Sequence, residues 1–312
     1  MTKKELADHI KSLAEETGFI ACGIAEARYL KEYAPAFNKW LENGFQAQMD
    51  YMERNNEKRT DPRKLVEGAK SAISVLFNYT PEKELPKENN YHISRYAYGK
   101  DYHFVMKKKL WELLEKIGAQ AGKTQSRVFV DTAPVLDRAW AELAGIGWIG
   151  KNSMLISPKH GSYVFIGEII TDLELEYDSP MNNLCGGCTR CLEACPTGAI
   201  IKDGVIDSNK CIPYWTIEHR GEDMPEELQG QFEDNIFGCD ICQEVCPWNR
   251  FAKPTREESF RPHPDLFDMT KEKWHNLSEE EYRKLFKKSA VKRAKFSGLK
   301  RNINFAAGKK KK

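Results

Sequence analysis

Cys185-Gly186-Gly187-Cys188-Thr189-Arg190-Cys191-Leu192-Glu193-Ala194-Cys195-Pro196 is the stretch that decides how this chain is organised. It reads C-x2-C-x2-C-x3-C-P, the bacterial pattern for an iron–sulfur cubane. Three thiolates two residues apart can wrap one cluster from a single turn of chain. The fourth, stiffened by its proline, points away to a neighbouring cluster. A second set follows: Cys211, then Cys239-x2-Cys242-x3-Cys246-Pro247. The expected ligands are therefore Cys185, Cys188, Cys191 and Cys246 for one 4Fe-4S cluster. Cys195, Cys211, Cys239 and Cys242 take the other. CxxC pairs also build zinc sites, but zinc does not call for a triple run closed by Cys-Pro. Disulfides are expected still less, because the chain shows no export signal and groups its thiols as metal ligands do. Cys22 is left over in the apolar run Phe19-Ile20-Ala21-Cys22-Gly23-Ile24 and reads as a small core residue. The block predicts a protein that moves electrons.

At 312 residues the chain is far longer than this block needs, so about two domains are expected. No apolar run approaches the ~20 residues of a membrane span. With reduced thiols, that predicts a cytoplasmic protein, read here as a monomer. Net charge is only +2, but it is unevenly spread. Arg283 to Lys312 carries 13 Lys and Arg and no acid, leaving 35 basic against 46 acidic residues before it. A body at −11 and a tail at +13 suit a polyanionic partner. A solvated basic terminus, ending in four lysines after Gly308, is the plainer alternative.

Upstream of residue 180 the pattern mixes helix and strand. Thr2 with Glu5 forms a capping box, opening a helix with Leu6, Ile10, Leu13 and Ala14 on one face. A strand is expected from Phe19 to Ile24, a helix across Leu30 to Leu41, a buried strand from Ser71 to Phe77, and a long helix from Phe104 to Ile117. Val128-Phe129-Val130 reads as a strand stopped by Asp131. The helix from Leu136 to Ala144 ends at Gly145-Ile146-Gly147. Met154 to Ile156 and Tyr163 to Ile170 read as paired strands joined by a polar turn at His160-Gly161. Such alternation predicts an α+β or α/β sheet–helix domain. No GxGxxG or GxxxxGKS/T loop supports a nucleotide cofactor. Asp131 stands where an open α/β sheet presents groups to a ligand crevice. Buried there, its pKa would be raised and it would hold a proton at neutral pH, as a general acid does. Capping the next turn is the plainer alternative. Asp137 and Arg138 read as a structural pair, Lys151-Asn152-Ser153 as a polar loop, and His103 as a helix-start residue.

These blocks in this order carry a resemblance. Lys58-Arg59-Thr60-Asp61-Pro62, Tyr98-Gly99-Lys100-Asp101-Tyr102-His103, Val130-Asp131-Thr132, Asp137-Arg138, Gly150-Lys151-Asn152, Gly161-Ser162-Tyr163 and both cysteine sets resemble the epoxyqueuosine reductases over nearly the whole chain. The resemblance implies a cobalamin-dependent iron–sulfur enzyme that completes queuosine at the tRNA wobble position. It implies a reductive-dehalogenase-like cobalamin-binding domain over 1–175, a ferredoxin-like domain with two 4Fe-4S clusters over 176–260, and a basic segment over 261–312 that contacts tRNA. Asp131 falls on the family's proton donor, Arg59, Leu155 and Ile166 on corrin-contacting positions, and His219 and Arg220 near the tRNA. Ser94 stands where some relatives place a cysteine beside the cobalamin, so a thiol is not expected to act there. The helical-repeat extension of longer relatives is not expected in this chain. Electrons would come from an unidentified low-potential donor. Two rival readings remain: a related cobalamin reductase with another substrate, and a non-catalytic electron-transfer protein. Tyr214 and Trp215, just after Cys211, either stack on an unpaired base or pack around a cluster.

Overall fold

The strand Ser71–Asn78 becomes the centre of the sheet because its run is apolar on both faces of the pleat. Ile73, Val75 and Phe77 point to one side, Ala72 and Leu76 to the other. The computed structural model describes residues 1–308; the four terminal lysines read as a solvated end lie outside the described residues. Strand order across the sheet is Ala21–Glu26, Ser71–Asn78, Val164–Thr171, Ser126–Phe129. Every pairing is antiparallel, with Ile73 opposite both Ile24 and Ile169. The domain is therefore α+β. Element order alone left both classes open, since helices lie between the strands in either. The direction in which residues 27–70 return the chain decides it.

Two helices, Lys3–Glu16 and Tyr102–Ala121, cover one face of the sheet. Ile10, Leu13, Met106, Leu110, Leu113 and Ile117 meet Ile73, Val75 and Phe77 there. The Thr2–Glu5 capping box closes both of its hydrogen bonds. The short helix Asp137–Leu143 covers the other face through Ala139, Trp140 and Ala141. Gly23 makes this possible, because a Cβ there would run into the Ala144 carbonyl.

Two expectations need correction. The helix expected from Leu30 begins only at Ala34, where Pro35 suits the first turn. The strands expected to form a hairpin through Gly161 do not pair with each other. Leu155–Ile156 pairs with Trp148–Ile149, only Ser157 and Gly161 bridge, and Val164–Thr171 joins the main sheet. A strand buried on both faces needs neighbours on both edges, and the main sheet supplies them.

The C-terminal region is built into the molecule. Leu266, Trp274, Phe286, Val291, Leu299 and Ile303 form a second core with Tyr91, Ile93, Ile236 and Phe237. The Trp274 indole donates to Asn90 Oδ1 at 2.7 Å inside it. Phe286 to Phe305 is thus packed in this structure. No helix among the described residues is long and apolar enough to cross a membrane.

Candidate active site

Asp131 ends the Ser126–Phe129 edge of the sheet at the apex of a tight turn. The Thr132 N–H donates to the Val130 carbonyl at 2.6 Å, and Asp131 takes a left-handed φ of 51°. Three-residue turns of this hand are strained, and strain of this kind concentrates at functional sites. The turn aims the carboxylate at the start of the long helix, which Asp101 caps. There the Tyr102 hydroxyl donates to Asp131 Oδ2 at 2.6 Å. His103 Nε2 lies 3.3 Å from the same oxygen, close enough for a charge pair without hydrogen-bond alignment. On its other side, His103 Nδ1 bonds Asp101 Oδ1 at 2.6 Å.

These partners set the proton inventory. Burial lowers the His103 pKa, but the Asp101 hydrogen bond and the charges of Asp101 and Asp131 win and raise it to about 9. Burial raises Asp131, yet the close His103 charge and the Tyr102 hydrogen bond outweigh it and leave the carboxyl below its usual value. The expectation of a buried, raised Asp131 is therefore corrected. Its side chain is 59% exposed, and in the open site the proton resides on His103. That exposed carboxylate marks the cleft side of the turn.

Tyr51, Arg59, Tyr96, Asp137, Glu218 and Arg293 lie within electrostatic reach around this cleft. Arg59 is buried; one nitrogen donates to the Tyr51 carbonyl at 2.7 Å, and Nε has no partner among the described residues. Arg293 grips Glu218 with two hydrogen bonds, and the Tyr51 hydroxyl reaches the same carboxylate at 3.4 Å. Tyr96 sits edge-on to Tyr102 at 6.0 Å and against Phe237 at 6.1 Å. It thereby links the cleft to the cysteine region.

The first expected set of four thiols is brought together, and the members of the second lie within electrostatic reach of one another. Cys185, Cys188, Cys191 and Cys246 line one cavity with Lys151, Asn152 and Trp248. The Trp148 indole N–H lies 3.4 Å from Cys185 Sγ. In the other set, burial pushes the Cys211 and Cys239 thiols far up and Cys242 up to about 12. Cys211 feels Cys242 and Cys195, and Cys239 feels Cys242 and Cys211. Buried thiols that oppose one another's ionisation suit a cationic metal core, which neutralises them. Among the described residues no three His, Cys, Asp or Glu side chains converge tightly enough for one mononuclear ion. The thiols of the first set stand around a space rather than a point.

The remaining expected residues are placed as follows. Ser94 is buried, and its hydroxyl donates to Asp240, between Cys239 and Cys242. Leu155 is buried with Leu76, Ala141 and Ile146, and Ile166 packs half-buried against the same group. The His219 ring is buried and donates Nε2–H to the Asp223 carbonyl at 2.8 Å. Arg220 is exposed and bonds the Arg293 carbonyl. Tyr214 is buried, while Trp215 is half-buried, its indole donating to the Asn209 carbonyl at 2.8 Å. Sequence reasoning missed Tyr102, Tyr51, Glu218 and Arg293 and left His103 as a helix-start residue. The one available signal was a Tyr-His pair directly after the capping Asp101.

Residues 59–132 match the family described as epoxyqueuosine reductase QueG, DUF1730, and residues 184–249 match the 4Fe-4S double cluster binding domain. The epoxyqueuosine reductase of Cellulophaga algicola is 52% identical over 304 residues, covering 97% of this chain and 99% of that one. Among solved structures, an epoxyqueuosine reductase with a tRNA-Tyr epoxyqueuosine-modified stem loop superposes with a TM-score of 0.88. It is 29% identical and covers 97% of this chain and 80% of that one. The Bacillus subtilis epoxyqueuosine reductase with its catalytic loop swung out of the active site gives 0.87 at 28% identity, covering 97% of this chain and 81% of that one. With identity at this level running from end to end, the chain belongs to the epoxyqueuosine reductase family.

Proposed function

We propose that this chain reduces epoxyqueuosine to queuosine at the wobble position of tRNA, with Asp131 as the proton donor. The observation that carries the reading is Asp131 itself. It is a strained carboxylate bonded to Tyr102 and paired with His103, open to a cleft in the same fold as two four-thiol sets. A plain electron carrier needs no such proton set. Epoxide deoxygenation does: it consumes two electrons and two protons and leaves an alkene and water.

The residues fit the cofactors the family implies. Asp131 is open on one side, and Arg59 offers a buried, unpartnered N–H among the described residues. Arg59 and the stretches around Leu155 and Ile166 would hold cobalamin, and the two thiol sets would hold two 4Fe-4S clusters. When bound, these groups supply stored reducing equivalents, delivered one electron at a time. The chain's own residues handle the protons. In the open cleft His103 holds a proton beside an ionised Asp131. Filling the cleft excludes water, which penalises the separated charges and favours the neutral pair, with the proton on Asp131 Oδ2. Asp131 then protonates the departing oxygen; His103 takes up a second proton from solvent and reloads Asp131, while Asp101 keeps the imidazole oriented. Tyr102 keeps its own proton, since burial and the Asp131 charge push its hydroxyl far up.

On the RNA side, Arg220 and Arg293 present charge to phosphates. His219, buried beside Arg220, shapes the turn that carries it through its bond to the Asp223 carbonyl. We read the enzyme as a cytoplasmic monomer fed by a low-potential donor. The test is anaerobic conversion of epoxyqueuosine-containing tRNA, followed by nucleoside mass spectrometry with and without cobalamin. Cobalamin-dependent queuosine formation is expected. Intact clusters and bound cobalamin without conversion would assign another substrate.

A further inference from the structure

We infer that Asp240 sets the reduction potential of the cluster held by Cys195, Cys211, Cys239 and Cys242, with Ser94 and Arg95 fixing its charge in place. The inference rests on the two-cluster reading above. Asp240 lies between two ligands of that set, Cys239 and Cys242, and is 8% exposed. Its carboxylate accepts the Ser94 hydroxyl, the Arg95 backbone N–H at 2.8 Å and the Arg95 guanidinium at 3.4 Å. The loop packs closely against these donors. Gly238 has a left-handed φ of 72°, and a Cβ there would lie 2.6 Å from the Ser94 Cβ. Only glycine lets the cysteine loop approach Ser94 so closely.

Arg95 is not a dedicated counter-ion. The same guanidinium bonds Glu84 at 2.7 Å and Glu244 at 2.9 Å, and Lys87 bonds Glu244 at 2.9 Å. Two cations thus serve three carboxylates, so the group as a whole carries one unmatched negative charge, and Asp240 is its member nearest the cysteine loop. A thiolate-bound cluster is already anionic, and accepting one electron adds another unit of negative charge. In a buried site the nearby carboxylate opposes that step more strongly than it would in water. Fixed charge and hydrogen bonding are the levers that tune such clusters. The arrangement therefore favours a low potential at this cluster, as a donor to a hard-to-reduce acceptor requires. Ser94 has a positioning role here: it holds the carboxylate through an O–H bond and partly screens it.

The test is an anaerobic redox titration of the holoenzyme followed by electron paramagnetic resonance, after iron and sulfide analysis of each protein. Asp240→Asn keeps the shape and removes the charge. It should make one of the two clusters easier to reduce, by about tenfold in the reduced-to-oxidised ratio at fixed solution potential. For a one-electron couple that is about 59 mV. Ser94→Ala removes a donor and leaves the carboxylate less screened, so the same cluster should become harder to reduce. Opposite signs separate charge from simple loosening, which would move both variants the same way. No shift in either variant, or a shift of the same sign in both, overturns the inference. If Asp240→Asn loses its cluster, the sign of the Ser94→Ala shift decides alone. Wild-type protein lacking eight irons would instead sink the two-cluster reading on which the inference stands.

Discussion

Asp131 and Asp240 are the same side chain put to different uses, and exposure separates them. Asp131 is 59% exposed at the edge of a cleft, with a phenol and an imidazole as partners. Asp240 is 8% exposed and locked by a hydroxyl, a backbone N–H and a guanidinium. Of the groups around Asp131, His103 can trade a proton with it, while Tyr102 keeps its own. The donors around Asp240 keep theirs at any working pH. A carboxylate beside a titratable partner becomes a proton carrier, whereas one beside fixed donors becomes a standing charge.

The largest way to break this comparison is Asp131→Asn. Turnover should fall by about 10²–10⁴-fold, the range for a lost general acid, while iron content and cobalamin binding stay at wild-type levels. Nucleoside mass spectrometry with absorption spectra checks it. Unchanged turnover would remove Asp131 from the chemistry.

His103→Gln should be milder, about 10–100-fold in kcat, because Asp131 can still be reloaded slowly from water. It also carries a pH signature. The His103 pKa rises on folding from 6.5 to about 9, so its charge interactions stabilise the fold fully below pH 6.5. That stabilisation fades as pH rises through about 9. Thermal melting from pH 6 to 10 should show this decline in the wild type and a flatter profile in the variant.

On the RNA side, Arg293→Ala should raise KM for tRNA by roughly 3–10-fold with little change in kcat. It should also reduce the salt slope of binding by about one phosphate contact. A fall in kcat of the same size would place Arg293 in the proton chemistry instead. The smallest effect is expected at Arg220→Ala, about 2–3-fold in KM, since this side chain is exposed and its charge is well screened by water.

The two regions were not equally legible in advance. The thiol sets could be read from spacing, because ligands two or three residues apart are a short-range constraint that survives any tertiary arrangement. The second strand announced itself for a similar reason. Ser-Ala-Ile-Ser-Val-Leu-Phe is apolar on both faces and belongs in the middle of a sheet. The proton set gave no such sign. Asp131 meets Tyr102 and His103 only because the edge strand ends beside the start of the long helix, nearly thirty residues earlier in the chain. Glu218 and Arg293 converge with Tyr51 from still more distant segments.

The expected pKa of Asp131 failed for the same reason. The chain order shows that an acid ends a strand, but not whether water reaches it or which base stands opposite. The basic end shows the same limit. Counting its charge was sound, but packing spends part of it internally: Arg301 bonds the Trp215 and His219 carbonyls, and Arg293 bonds Glu218. The eight thiols, the apolar strands and the helix caps were legible in chain order, because each depends on neighbours a few residues away. Strand direction, the partners of Asp131 and the burial of Asp240 emerged only once the chain was folded. Those depend on contacts between segments tens to hundreds of residues apart, which local pattern does not encode.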